Sequence, residues 1–385
     1  MLLQRREFLK MSTGVLAGLS VSTIAAATPA PRSTLAQIVH NAVASGATPG
    51  IQVCVVKDGQ ALSNMSAGHM NLETQSLVDA KTIFRIGSIT KQFIGAMVLK
   101  LDSEGALALD NPAAKYLPVL ARHASFTIRE LLHHTAGVHD DQESPPVPGP
   151  VTQLQLAEAI AKQKQFFDFS PGTAWLYSNA NYILLGAIVE AVTGATLADV
   201  AAKHISRPLQ LVRTNFDIAD AIVIGRASGY SLQDETRKTF KNAAWVDVVQ
   251  TGGAGAMRSN SADLARWHQA LLFGDFLSGK QREIYLAPAR LRDGRLSSEN
   301  RFSERDRPMG ATQYGFGVHL DRSSTDHGLI VHHNGFIDGF STYLATHMPS
   351  KTTVACLCNI DQHPALPFRD IRRHVFAAYL PAPAT

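Results

Sequence analysis

The sequence predicts an α+β fold: one antiparallel β-sheet flanked by helices, joined to an all-α region. Three observations carry this. Short β-rich runs separated by turn residues lie near both ends of the 385-residue chain. The stretch from Ala106 to about Leu291 is mostly helical and loopy in pattern. No internal repeat or low-complexity segment suggests a repeating architecture. The N- and C-terminal segments, residues 33–105 and 292–385, would therefore share a discontinuous sheet, with residues 106–291 as the mainly helical region.

In chain order, Gln4-Arg5-Arg6-Glu7-Phe8-Leu9-Lys10 precedes a mildly apolar run, Val15 to Ala26, and the small residues Ala25-Ala26-Ala27. This order of zones reads as a twin-arginine export signal over residues 1–27, with a periplasmic or otherwise exported mature protein. The run is too short and too weakly apolar for a lasting membrane span. Ser33 is a candidate cap for a helix carrying Leu35, Ile38, Val39 and Ala42. Pro49-Gly50 breaks it. Ile51 to Val56 and Ala61 to Ser66 read as strands joined by an Asp58-Gly59 turn. The next helix carries Phe93, Ile94, Met97, Val98 and Leu101 on several sides, so it is central, and Gly105 stops it. Capping boxes at Thr127/Glu130 and Thr152/Gln155 start two helices. An apolar helix over Asn181–Thr193 ends at Gly194, and others start at Thr196 and Ser261. The runs Tyr314–Leu320, Leu329–His333, Phe340–His347 and Thr352–Cys358 read as strands, and Phe368 to Phe376 as a closing amphipathic helix.

Composition excludes several classes. The formal charge is +4, and the leader contributes Arg5, Arg6 and Lys10 against Glu7, which leaves the mature chain near +2. There is no basic stripe interleaved with aromatics, so no nucleic-acid partner is expected. No apolar run after Ala27 is long enough to cross a bilayer. Cys54, Cys356 and Cys358 lie in strand-like runs and read as small buried hydrophobes, with a cross-strand disulfide from Cys54 left open.

The chemistry centres on Phe84-Arg85-Ile86-Gly87-Ser88-Ile89-Thr90-Lys91. Ser88 is the only serine with a lysine three residues on. Three residues of helix advance about 300°, so Ser88 and Lys91 project from nearly one face. A lysine with a lowered pKa can take the serine proton, and the free N–H groups of a helix start suit a developing oxyanion. Tyr177-Ser178-Asn179 supplies a second proton carrier and an amide that can bond Lys91 and a substrate carbonyl. In His332-His333-Asn334-Gly335-Phe336, Gly335 permits close backbone approach, a substrate can add along the strand edge, and a following N–H can serve as second oxyanion donor. His133, His134, His139, Asp140 and Asp141 cluster without a metal-ligand spacing, and neither a metal nor a cofactor is expected. No Gly-x-Ser-x-Gly elbow occurs.

Ser88-Ile89-Thr90-Lys91, Tyr177-Ser178-Asn179 and His333-Asn334-Gly335 occur in the order of the three motifs of the penicillin-recognising serine hydrolases. The chain most resembles the class C β-lactamase-related branch, with its D-alanyl-D-alanine carboxypeptidases, D-aminopeptidases and esterases. Leu131-Leu132-His133-His134-Thr135-Ala136-Gly137, Pro171-Gly172-Thr173, Gly252-Gly253-Ala254-Gly255, Ala262-Asp263-Leu264-Ala265-Arg266-Trp267 and Tyr314-Gly315-Phe316-Gly317 agree with it, so the resemblance covers nearly the whole mature chain.

The resemblance implies a β-lactamase/transpeptidase-like fold with the site between its two regions. It implies Ser88 as the acylated nucleophile, and Lys91 and Tyr177 as a proton-transfer pair in which either could be the base. Asn179 would orient Lys91 and the substrate amide, and the N–H groups of Ser88 and Phe336 would form the oxyanion hole. The substrate would be a small molecule or short peptide; the sequence carries no reading of oligomeric state. His333 departs from the lysine usual in the β-lactamases, and Asn334 from the usual hydroxyl residue. A mostly neutral imidazole is a weaker carboxylate anchor, which points to esters or D-amino-acid peptides. Arg258 is a candidate replacement anchor. The alternatives are a β-lactamase proper and a non-catalytic binding protein on the same fold.

Overall fold

Helix α1 (Leu35–Ala44) is capped by Thr34, one residue later than expected: its hydroxyl accepts the Gln37 N–H, and the Gln37 amide accepts the Thr34 N–H in return. The structure is a computed structural model that describes residues 33–123, 125–140, 147–148, 151–218, 220–234, 236, 238–304, 309–322 and 328–378. The expected leader and Asp141 lie outside them.

Strands β1 (Gly50–Lys57) and β2 (Gln60–Asn71) form a hairpin. Its turn holds Asp58 at φ 48° and Gly59 at φ 77°, the left-handed pair that this dipeptide adopts readily. After β3 (Ser76–Leu77) and β4 (Phe84–Arg85), a 3₁₀ turn over Gly87–Ile89 leads into α2 (Thr90–Ser103). The middle of the chain supplies α3 (Ile128–Leu132), α4 (Gln153–Ala161), α5 (Asn179–Thr193) and α6 (Leu197–Ala201). The Thr127 and Thr152 capping boxes and the left-handed Gly194 stop are in place. Then come β5 (Asn215–Phe216), the hairpin β6 (Tyr230–Asp234) and β7 (Thr239–Asn242), α7 (Gly252–Gly255), β8 (Met257–Ser259), α8 (Ser261–Leu272) and α9 (Gly279–Tyr285). The chain closes with β9 (Gln313–Tyr314), β10 (His319–Asp321), β11 (Ile330–Ile337), β12 (Phe340–His347), β13 (Thr352–Cys358) and α10 (Phe368–Ala377).

The eight-stranded sheet runs β3-β2-β1-β13-β12-β11-β10-β9, so the first and last strands in sequence meet where β1 pairs antiparallel with β13. One face packs on α8, within a hydrophobic cluster that also takes in α2, through Cys54, Val56, Leu344, Ala355 and Leu357. The other meets α1 and α10 through Val53, Val55, Tyr343, Cys356 and Cys358. Cys54 therefore sits on the opposite face from Cys356 and Cys358. In register it faces Ala355, all three thiols are free, and the open disulfide reading from Cys54 is excluded by the pleat.

Two strand expectations need correction. The run Tyr314–Leu320 is broken into β9 and β10 by Gly315-Phe316-Gly317. Gly317 is at φ 77°, and a Cβ there would lie 2.5 Å from the Lys91 carbonyl carbon, so this loop packs backbone-on-backbone against α2. The strand expected to stop at His333 continues to Ile337 as β11, because Phe340–His347 pairs with it along its full length. No single helix among the described residues is long and apolar enough to cross a membrane.

Burial makes the fold acid-sensitive. Desolvation pushes His133, His268 and His333 down to about 3 and His332 to about 4. Unfolded, these rings protonate below about 6.5, so between that pH and about 4 the unfolded chain binds more protons and stability falls as pH falls. Urea unfolding should give a lower midpoint at pH 5 than at pH 7; an equal or higher midpoint at pH 5 contradicts neutral buried histidines.

Candidate active site

Ser88 lies half-buried in the turn before α2, and Lys91 lies in the first turn of that helix, fully buried. Lys91 Nζ is 3.0 Å from Ser88 Oγ, 2.8 Å from Asn179 Oδ1 and 2.9 Å from the Ala254 carbonyl. It also sits 4.8 Å from the centre of the Tyr177 ring and 5.7 Å from that of Tyr182. Desolvation lowers the Lys91 pKa to about 7, against a smaller opposing pull from Asp140.

The hydrogen bonds also orient the amine. Asn179 Oδ1 and the Ala254 carbonyl can only accept, so they hold two N–H groups in either protonation state. The third position faces Ser88 Oγ. Loss of one proton therefore leaves the lone pair aimed at the serine hydroxyl.

Neighbouring segments hold these partners. Asn179 is the first residue of α5, and both its backbone N–H and its Nδ2 donate to Asp140 Oδ2, at 3.0 and 3.1 Å. His134 Nδ1 lies 3.2 Å from the donating Ser178 N–H and 3.1 Å from Asn181 Nδ2, which fixes it as an acceptor. The His134 ring packs, tilted, 4.6 Å from that of Tyr177, at a backbone φ of 59°. Ala254 arrives on α7, where Gly253 lets the chain approach closely: a Cβ there would lie 2.3 Å from the Tyr182 carbonyl oxygen.

On the sheet side, β10 pairs with β11 only from Ile330 to His332, so the His333–Ile337 stretch has β12 on one side and the Ser88 turn against it. A Cβ on Gly335 would lie 1.9 Å from the Ile86 carbonyl oxygen, and one on Gly87 would lie 2.8 Å from Phe336 N. These contacts bring the Ser88 and Phe336 backbones together. Asn334 is exposed on this edge, and Phe336 is partly so.

His333 is arranged differently from the sequence expectation. It is buried, with Nε2 3.1 Å from the Tyr314 hydroxyl and Nδ1 2.5 Å from the Asn334 carbonyl. The carbonyl requires N–H at Nδ1, so Nε2 accepts from Tyr314. Burial and the Lys91 charge keep the ring neutral. With both nitrogens engaged, it forms a wall 6.0 Å from the Tyr177 ring and offers a carboxylate no charge. Arg258 is likewise occupied: its guanidinium bonds the Phe216 carbonyl and buried Asp217, which also pairs with Arg85 and Arg226. It braces the small sheet of β4, β8 and β5.

The other histidines and acids have separate partners. His139 pairs with Asp168 at 2.7 Å, and His133 packs 5.0 Å from the Phe316 ring. Among the described residues, no group of three or more ligand side chains converges on a metal position. Asp140, His134, Tyr314 and Ala254 are the site neighbours that sequence reasoning did not place. Asp140 was visible only as a member of the metal-like cluster, His134 only there and in a stretch shared with the family, and a backbone acceptor such as the Ala254 carbonyl leaves no side-chain signal.

The sheet-and-helix fold, with a serine, a buried lysine, a tyrosine and an asparagine gathered at the junction, defines the class of penicillin-recognising serine hydrolases. The chain belongs to the Beta-lactamase family, whose model matches residues 35–379. It is 26% identical over 331 residues to Penicillin-binding protein 4* of Bacillus subtilis (strain 168), covering 80% of this chain and 68% of that protein. It is also 26% identical to Protein flp of Staphylococcus aureus (strain MW2), covering 84% of this chain and 62% of that one. The chain thus spans about two thirds of the length of these relatives. Among solved structures, a D-stereospecific amidohydrolase from Streptomyces sp. matches with a TM-score of 0.72 and 26% identity, over 89% of this chain and 98% of that one.

Gly335→Ala tests the close approach. The added methyl must displace Ile86 and the Ser88 turn, and a shift of about 1 Å costs on the order of 100-fold in rate. Hydrolase assays should show roughly that loss in kcat/KM with a folded circular dichroism spectrum; wild-type kcat/KM would contradict the contact.

Proposed function

We propose that this protein is an exported serine hydrolase acting through an acyl-enzyme on short acyl esters or D-amino-acid amides and peptides. The observation that carries this is the buried Lys91 amine, 3.0 Å from Ser88 Oγ with its other two partners fixed as acceptors. Export is supported by the order of zones in residues 1–27.

In this reading Ser88 Oγ attacks the substrate carbonyl and its proton passes to the Lys91/Tyr177 pair. The carbonyl oxygen becomes an oxyanion held by the N–H groups of Ser88 and Phe336. The pair then protonates the leaving alcohol or amine, and water repeats the sequence to release the acid. Asn179 has one Nδ2 hydrogen on Asp140, which leaves the other for a substrate carbonyl. The neutral, engaged His333 and the Asp217-bound Arg258 favour esters and amides over a β-lactam that needs a carboxylate anchor. The likeness to a protein described as a D-stereospecific amidohydrolase supports the D-amino-acid branch. A kinetic panel of nitrophenyl esters, nitrocefin and D-Ala-D-Ala peptides separates the substrate classes.

Intact-mass spectrometry after fluorophosphonate treatment should show one adduct on wild type and none on Ser88→Ala; equal labelling of both sinks the assignment. The base must be neutral to accept a proton, so activity is lost as pH falls through the Lys91 pKa of about 7. The kcat/KM profile should rise with pH to a midpoint near that value, and a flat profile from pH 5 to 9 would exclude Lys91 as the titrating base.

A further inference from the structure

We infer that Asp140 is a positioning residue for this reaction, which locks the Asn179 side chain so that the Lys91 amine is aimed at Ser88. The inference rests on the reading of Ser88 and Lys91 given above. Asp140 Oδ2 accepts from both the backbone N–H and the Nδ2 of Asn179, at 3.0 and 3.1 Å. A carboxylate can only accept, so the NH₂ end of the Asn179 amide is held toward Asp140 and the oxygen end toward Lys91. The two ends are nearly isosteric. Without the carboxylate, the amide can rotate and present N–H groups to Lys91, which would compete with Ser88 for the amine lone pair.

The placement has a second physical basis. Asn179 opens the 15-residue helix α5, whose first N–H groups lack partners within the helix, and a carboxylate there also meets the positive end of the helix dipole. Asp140 comes from the loop after α3, 39 positions away in sequence, so the bond ties that loop to the catalytic segment.

The charge of Asp140 acts on Lys91 as well. The groups facing Lys91 are the rings of Tyr177 and Tyr182, the histidines His134 and His333, and Asp140. Burial keeps both histidines neutral, and Asp140 is the carboxylate that pulls the Lys91 pKa upward against desolvation. Removing its charge lets that pKa fall further, so the acid limb of the activity profile moves to lower pH.

The test compares wild type, Asp140→Asn and Asp140→Ala by fluorophosphonate adduct mass, thermal melting and kcat and KM from pH 5 to 9. The isosteric Asp140→Asn should label fully and shift its acid limb to lower pH by about half a unit or more. Asp140→Ala should also label fully, with kcat reduced about 10- to 100-fold and KM changed less than threefold. Wild-type kcat in Asp140→Ala overturns the inference. So does an unmoved acid limb in both variants, even with lower kcat or a lower melting temperature, since that pattern marks a structural role only. If wild type takes up no adduct, or Ser88→Ala takes up as much, the nucleophile itself is misassigned and the inference falls with it.

Discussion

An ammonium removed from water carries a penalty of several kcal/mol, and the architecture around Lys91 exists under that constraint. Lys91 is fully buried, and its three hydrogen-bond partners are the hydroxyl, amide and carbonyl oxygens of Ser88, Asn179 and Ala254. Those neutral oxygens satisfy the geometry without fully repaying the lost hydration. The balance is what brings the pKa to about 7. A carboxylate in direct contact would hold the lysine charged at neutral pH and unable to accept a proton. Asp140 stands one residue behind, on Asn179, close enough to moderate the shift and too far back to abolish it.

The site is held together by backbone contacts more than by side chains. Gly335 lies on the Ile86 carbonyl, Gly317 on the Lys91 carbonyl group, Gly95 on the Phe316 carbonyl and Gly253 on the Tyr182 carbonyl. Each removes a side chain where two main chains must meet, so the Ser88 turn sits against β11, α2 against the β9–β10 loop, and α7 against the start of α5. Gln92 adds to this from the next position on α2: its side chain accepts from the Trp267 indole and its carbonyl from the Tyr285 hydroxyl. Distances around Ser88 are thereby set by stiff elements.

Much of this was legible in the sequence, for identifiable reasons. The β-rich ends, the Asp58-Gly59 turn, the Thr127 and Thr152 capping boxes and the apolar α2 have local causes, and local pattern reveals them. Ser88, Lys91, Tyr177 and Asn179 stand out by residue type and spacing, and the fold brings them together. What escaped depends on three-dimensional juxtaposition. The pleat that separates Cys54 from Cys356 follows from register with β13. The occupation of His333 by Tyr314 and of Arg258 by Asp217 follows from neighbours far along the chain. Asp140 looked like a metal-cluster acid because the amide it holds lies in another segment.

The most direct measurement is the titration of Lys91 itself. Carbon-13 labelling at lysine Cε, with the resonance assigned by its loss in Lys91→Arg, follows the side-chain charge by NMR. A midpoint near 7 is expected for an amine buried among neutral oxygens beside Ser88. A midpoint near the ordinary lysine value of about 10.4 would contradict it, because the amine would then stay charged and could not accept the serine proton at neutral pH.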